Sequence, residues 1–332
     1  MRMMGYEVGP IRPPSEAGSL LLRVTRNCPW NRCEFCNLYR GQKFQTRPVE
    51  DIKADIDSIR SLYGNDIPES VFLQDANTAV LSYDKLREIL LYLREKLPRI
   101  KRVTSYGRVD SLAKFSVAEL KGLKEAGLDR IHSGFESGSD KVLALINKGY
   151  TKAQEIDAGR RVKEAGIELS VYYMPGVGGK DLSDDNAVET ADVVNKTNPD
   201  FVRIRTYVSK PGTELYDKIG SGAMRECTDM EKLSELKKMI ENLDGADGFL
   251  YSDHIINLLQ NVRGNMKTDK DKMLSVIGAF EELSPDEQRR YQLARRAGAY
   301  GIREEELDLL LLKLDTEAKF EGFLLEYLRQ YI

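Results

Sequence analysis

The sequence predicts an α/β fold in which six parallel strands alternate with helices as in a β/α barrel, followed by a C-terminal α-helical domain. Three observations carry this. Short runs rich in apolar and β-branched residues alternate with amphipathic stretches from Ser19 to about Gly220. Polar or glycine-rich residues follow these runs, as they do at the carboxyl ends of barrel strands. Beyond Gly220 only helical patterns remain. At 332 residues, 41% hydrophobic and 31% charged, the chain can bury one large domain and a smaller one.

The expected strands are Leu20–Val24, Ser70–Leu73, Arg102–Ser105, Arg130–Ser133, Leu169–Tyr173 and Phe201–Arg205. Between them, apolar residues recur at helical spacing over Val49–Leu62, Tyr83–Lys96, Val117–Ala126, Lys152–Ala165 and Asp185–Lys196. Gly127 and Gly166 stand where left-handed caps would end two of these helices. Further helices are expected over Met230–Leu243, Ser252–Val262, Asp269–Leu283, Pro285–Arg296 and Arg303–Tyr327. The organisation is therefore an N-terminal extension (1–18), a β/α unit (19–220) and a helical region (221–332).

Cys28, Cys33 and Cys36 place three of the four cysteines in one loop after the first strand. Structural zinc takes four ligands, and the remaining candidates, Cys227, His132 and His254, are remote in sequence. A disulfide reading is weak because cysteine is scarce and no secretory segment precedes the loop. Three thiolates suit an iron–sulfur cubane with one iron left open, where a small molecule could bind and be activated.

In these features, residues 19–220 resemble the radical S-adenosylmethionine (radical SAM) superfamily, whose partial (β/α)6 TIM-like barrel carries three clustered cysteines after its first strand. Phe35, directly before Cys36, matches the family position that lies against adenine. The stretch Gly134-Phe135-Glu136-Ser137-Gly138-Ser139-Asp140, with Asn147-Lys148-Gly149 and Lys210-Pro211-Gly212-Thr213, is similar to the branch of oxygen-independent coproporphyrinogen oxidases and tRNA methylthiotransferases. Four residues separate Cys28 from Cys33 where the family usually has three. Gln74-Asp75-Ala76 stands where relatives often carry Gly-Gly-Glu, so a role for Gln74 and Asp75 at the methionine amino group transfers by position alone.

The resemblance implies a 4Fe-4S cluster on the three cysteines, S-adenosylmethionine as the second cofactor, and a 5′-deoxyadenosyl radical acting on an unidentified metabolite, lipid or peptide. It also implies a low-potential electron donor, a flavodoxin or ferredoxin. Glu136 is the candidate for the ribose hydroxyls, Arg108 for the methionyl carboxylate and Gly176 for close approach to adenine. Salt bridges at the barrel mouth are the bland alternative for Glu136 and Arg108. Gly176-Val177-Gly178-Gly179-Lys180-Asp181 lacks the spacing of a phosphate loop.

Cys227 and His254 are candidate catalytic residues, weighed against a buried thiol and a helix-capping surface histidine. Arg289, Arg290, Arg295, Arg296 and Arg303 form either a solvated face or an anion site. A net charge of −3 offers no global attraction for nucleic acid, and RNA modification is disfavoured by the lack of an RNA module or further cysteines. A non-catalytic haem or cofactor carrier is the third reading. No run approaches the ~18 apolar residues of a spanning helix, so a cytoplasmic location is expected.

Overall fold

The structure, a computed structural model, describes residues 5–297, 310–314 and 316–331. Its centre is an eight-stranded sheet with two further short strands beside it. In chain order the strands are β1 (Leu20–Arg23), β2 (Thr25–Arg26), β3 (Gln45–Thr46), β4 (Ser70–Gln74), β5 (Arg102–Tyr106), β6 (Arg130–Glu136), β7 (Glu168–Tyr173), β8 (Phe201–Ile204), β9 (Phe249–Tyr251) and β10 (Arg263–Asn265). Strands β1, β4, β5, β6, β7, β8 and β9 run parallel in that order, and β10 closes the edge antiparallel to β9. All six expected strands are present, five of them within one residue at each end, while Arg130–Ser133 runs three residues further, to Glu136.

The outer layer is formed by α1 (Val49–Tyr63), α2 (Tyr83–Lys96), the short α3 (Val109–Leu112), α4 (Val117–Glu125), the short α5 (Asp140–Leu145), α6 (Lys152–Glu164) and α7 (Ser183–Thr197). Each longer helix turns one apolar stripe to the sheet: Ile52, Ile56 and Ile59 of α1 are fully buried, as are Ile89, Leu90 and Leu93 of α2. Capping boxes start α4 (Ser116 with Glu119) and α6 (Thr151 with Gln154). Gly127 and Gly166, at φ 111° and 75°, take the left-handed turns expected of them.

After β8 come α8 (Glu214–Gly220), α9 (Asp229–Glu241), α10 (Lys270–Glu281), α11 (Pro285–Ala297) and a last helix, Glu317–Tyr331. Two expectations need correction here. The region beyond Gly220 is not purely helical, because β9 and β10 extend the sheet. At three residues each they are too short for period-two alternation to register. Ser252–Val262 is not a helix but a turn-rich loop joining these strands. Asn257 anchors it, accepting from Thr206 N at 3.0 Å and donating to Ile204 O at 2.8 Å. Its helix-like spacing of apolar residues has another cause: Ile256, Leu258, Leu259 and Val262 are buried over the end of the sheet. Of the expected helix Arg303–Tyr327, residues 303–309 and 315 lie outside the described residues.

A small apolar cluster sits at the carboxyl ends of the strands. Val142, Ile146, Met174, Val177, Tyr207, Leu215 and Met224 form its buried part, and Phe35 packs against it. This cluster is the floor beneath the cysteine loop.

Candidate active site

The loop after β2 carries Cys28, Cys33 and Cys36 as free thiols, Cys33 buried and the other two half-buried. Asn27 and Asn31 turn it with φ of 67° and 48°, a conformation that asparagine tolerates better than most residues. Neighbouring elements then pin the loop down. Glu34 N donates to Ile146 O at 2.9 Å, and Leu215 N donates to Glu34 O at 3.1 Å. Arg40 donates to the carbonyls of Cys33 and Cys36, both at 3.1 Å, and pairs with Glu214. Lys218 Nζ reaches Glu34 Oε2 at 2.5 Å. The loop between β2 and β3 is thereby clamped to the end of α5 and to α8.

Two cations face the sulfurs. Arg108 Nη1 lies 4.0 Å from Cys33 Sγ, while its Nη2 donates to Lys148 O at 2.8 Å and its Nε to Asp110 Oδ1 at 3.0 Å. The guanidinium also stacks on Trp30 and Tyr150, with its carbon 5.3 and 5.4 Å from the ring centroids. Lys148, 5% exposed, bonds Glu136 Oε1 at 3.1 Å and lies over the Phe35 ring at 5.4 Å. Burial pushes the Cys33 thiol up, and the charges of Lys148 and Arg108 pull it back. Asn31 N donates to Cys28 Sγ at 3.4 Å.

Glycines let the side chains close on one another. Glu136 has φ 67°, and its carboxylate folds over Gly134, where a Cβ would overlap Oε1. A Cβ at Gly149 would overlap the Trp30 ring, whose Nε1 donates to Asn147 O at 2.8 Å. The two glycines of this motif are needed for close approach.

Phe35, Arg108, Glu136 and the three cysteines thus converge, and Lys148 joins them. In the sequence Lys148 stands only as part of a motif; its single signal is its place next to a glycine there. The remaining candidates lie elsewhere or have protein partners. Gln74 faces the N-terminal segment, accepting from Gly9 N at 2.9 Å and donating to Ile11 O at 2.6 Å. Asp75, fully buried, bonds Tyr39, Arg23 Nη2 at 2.8 Å and Asn27 N at 3.4 Å, so it braces the start of the cysteine loop. At Gly176, N–H donates to Glu235 Oε1 at 3.1 Å, and a Cβ would meet Lys232 Cγ at 2.9 Å, so its open side is filled by α9.

Cys227 is fully buried, and burial pushes its thiol up to about 12, so it stays protonated. His254 is pushed down to about 4 by burial, with Arg205 adding to the effect, and is neutral at pH 7. It starts no helix. The arginine cluster is not one face. Arg296 is buried in a two-bond pair with Asp229 (3.1 and 2.8 Å), Arg295 donates to Ile255 O at 2.9 Å, and Arg289 pairs with Glu317 at 2.5 Å. Arg303 lies outside the described residues. Glu235, which no sequence motif marks, is buried on α9 and accepts from Tyr173, Gly176, Ser183 and Asn186. Burial raises its carboxyl to about 7.

Among the described residues, no three His, Cys, Asp or Glu side chains converge closely enough to hold a single metal ion. A cubane makes a different demand, since each thiolate meets a different iron. Three free thiols on one clamped loop, with a peptide N–H and two cations directed at them, fit such a group.

Over residues 22–192 the chain matches the Radical SAM superfamily, and it belongs to that superfamily. It is an enzyme of a family that uses a 4Fe-4S cluster and S-adenosylmethionine. Among its relatives, an uncharacterized methyltransferase of Pyrococcus horikoshii is 28% identical over 59% of this chain and 41% of its own length. A tRNA-2-methylthio-N(6)-dimethylallyladenosine synthase of Syntrophus aciditrophicus is 30% identical over 67% of this chain and 48% of its own. The chain therefore spans less than half the length of either relative. Coproporphyrinogen III oxidase from Escherichia coli, a radical SAM enzyme, shares the fold with a TM-score of 0.50 at 15% identity, over 67% of this chain and 51% of that one. The open parallel sheet is thus a partial barrel of the family type. No helix among the described residues is long and apolar enough to cross a membrane.

Proposed function

We propose that this chain holds its cluster on Cys28, Cys33 and Cys36 and uses S-adenosylmethionine to act by radical chemistry on a small molecule, with a flavodoxin or ferredoxin as electron donor. The observation that carries this is the pair of cations, Lys148 buried and Arg108 half-buried, beside Cys33 in a loop of three free thiols. When bound, the cluster and S-adenosylmethionine supply reductive cleavage of a sulfonium carbon–sulfur bond and a 5′-deoxyadenosyl radical.

The chain's own residues bind and orient. Glu136 offers a carboxylate that can accept both hydroxyls of a ribose, with its charge held in place by Lys148. Arg108 keeps N–H groups beyond those bonded to Asp110 and Lys148, and these can meet a carboxylate. Phe35 presents an apolar ring for a base, on a floor that includes Val142 and Met174. Asp75 acts as a positioning residue through Asn27 and Tyr39. Helix α9 fills the side of Gly176 at the end of β7 through Lys232 and Glu235 and excludes water there. Cys227 and His254 are the candidates for hydrogen donation and substrate contact.

Anaerobic reconstitution tests the reading. Wild-type protein should carry about four irons and four sulfides per chain, and with dithionite and S-adenosylmethionine should release 5′-deoxyadenosine. Cys33→Ala should lose both, and Cys227→Ala should keep its iron. A full iron complement in Cys33→Ala, or an intact reduced cluster that cleaves nothing, would refute it.

A further inference from the structure

The concave face of the sheet carries more polar groups than its protein partners satisfy. Here Phe72, Tyr106, His132 and Tyr172 form a chain of rings, with successive centroids 5.0, 6.1 and 6.5 Å apart from Phe72–Tyr106 through Tyr106–His132 to His132–Tyr172. The registers Tyr172↔Arg203 and Arg203↔Tyr251 put Arg203 on the same face. Arg203 is 8% exposed, stacks on Tyr251 at 5.3 Å, and has a buried Nε with no hydrogen-bond partner. Thr104 Oγ1 and His132 Nδ1 on this face are buried and unpartnered as well. Leaving such groups unmet is unfavourable, so this face suits water or a polar ligand.

Glu16 meets His132 Nε2 at 3.0 Å and Arg102 at 3.3 Å near the strand starts, whereas at the carboxyl ends the charge on the face is positive. Arg205 continues the alternation two residues beyond Arg203, since its N–H still bonds Tyr173 O at 2.9 Å, and it stands exposed at the strand end. No carboxylate among the described residues pairs with it, and the acid beside Arg203 is Asp253, at 3.6 Å. The Arg205 charge acts on Tyr106, Tyr172, Lys210 and His254, and Lys210 lies within electrostatic reach of Cys36. The patch therefore connects the concave face with the cysteine loop. His254 accepts from Ile256 N through Nδ1 at 3.3 Å, which leaves Nε2–H as a donor. Tyr106 and Tyr172 remain protonated at neutral pH because burial raises both hydroxyls.

We infer that this mouth binds the substrate, a small molecule bearing a carboxylate or phosphate, with Arg205 and Arg203 holding the anion and Tyr106 and Tyr172 orienting the remainder. A bound anion relieves the repulsion between two neighbouring guanidinium groups and meets the open Nε of Arg203. This rests on the cysteine loop being the reaction centre.

Calorimetric titration of the reconstituted full chain, under anaerobic conditions and without turnover, tests it with citrate and pyrophosphate as probes and glycerol as the neutral control. One of the two anions should bind in the millimolar range or tighter, and the one that binds distinguishes a carboxylate substrate from a phosphate. Arg205→Gln should weaken that binding at least about tenfold. Arg205→Lys should retain most of it, and Arg60→Gln, on the outer helix α1, should match wild type. No heat from either anion beyond that of glycerol, unchanged binding by Arg205→Gln, or an equal loss in Arg60→Gln would overturn the inference. A protein that cleaves S-adenosylmethionine but binds neither anion defeats this inference alone; one that binds an anion but cleaves nothing defeats only the proposed function.

Discussion

At the cysteine loop, cations face thiols, whereas at the junction of α9 with α11 they face carboxylates. Arg296 and Asp229 satisfy each other through two hydrogen bonds, and Arg296 also donates to Ile256 O at 2.7 Å. Arg108 is different: it bonds one carboxylate, one carbonyl and, at longer range, one sulfur. The first arrangement is closed and holds two helices together. The second leaves N–H groups of Arg108 beside a sulfur, and a carboxylate, Glu136, held by Lys148 with its other oxygen free to accept. Burial of charge alone does not mark a site; the identity of what the charge faces does.

Breaking the closed pair should have the largest effect on stability. Arg296→Met leaves Asp229 buried without its partner, and loss of one member of such a pair costs roughly 3–5 kcal/mol. Urea denaturation of the cluster-free protein should show this. The three cysteines of any chain that stays folded should still take up iron. A fall of less than about 1 kcal/mol would place the pair in water-accessible surroundings after all.

Glu235 sharpens the comparison through pH. Its folded value of about 7 lies above the ordinary value of 4.5, so the folded state holds its proton more tightly. The stability this contributes is fully present below pH 4.5 and is lost as pH rises through about 7. Glu235→Gln should remove that decline. The gap between wild type and variant should therefore change by on the order of 3 kcal/mol from acid to mildly alkaline pH. Parallel stability curves for the two proteins would contradict the assignment.

The open corner should answer to ligand more than to denaturant. Glu136→Gln should weaken S-adenosylmethionine binding by roughly 1–3 kcal/mol, the scale of a charged hydrogen bond. The unfolding midpoint of the cluster-free protein should move little, because Lys148 keeps a hydrogen-bonding amide beside it. Equal affinity in both proteins, by equilibrium dialysis, would remove Glu136 from the ribose.

The parallel strands were legible because most are short runs of apolar and β-branched residues between turn signals, as Ser70–Leu73 and Phe201–Arg205 illustrate. The cysteine loop was legible as one place because three of the four thiols crowd into nine residues directly after a strand. Strands β9 and β10 were not, since three residues carry no periodicity. The loop at Ser252–Val262 misled because burying Ile256, Leu259 and Val262 over the sheet reproduces helical spacing. Lys148 and Glu235 escaped for a different physical reason. Whether a charged residue faces a sulfur, a backbone N–H or water depends on contacts across the fold, which neighbours in sequence do not encode.

Trp30 has a practical consequence. It is the one tryptophan of the chain, it lies in the cysteine loop, and its indole is flanked by Arg32 and Arg108 at 5.5 and 5.3 Å from its centroid. Tryptophan emission from this protein therefore originates at a single point, between Cys28 and Cys33. Iron–sulfur absorption overlaps indole emission, so a cluster held on this loop would quench that light by energy transfer. Assembly and loss of such a centre would then be visible in real time, without a label, in the native chain.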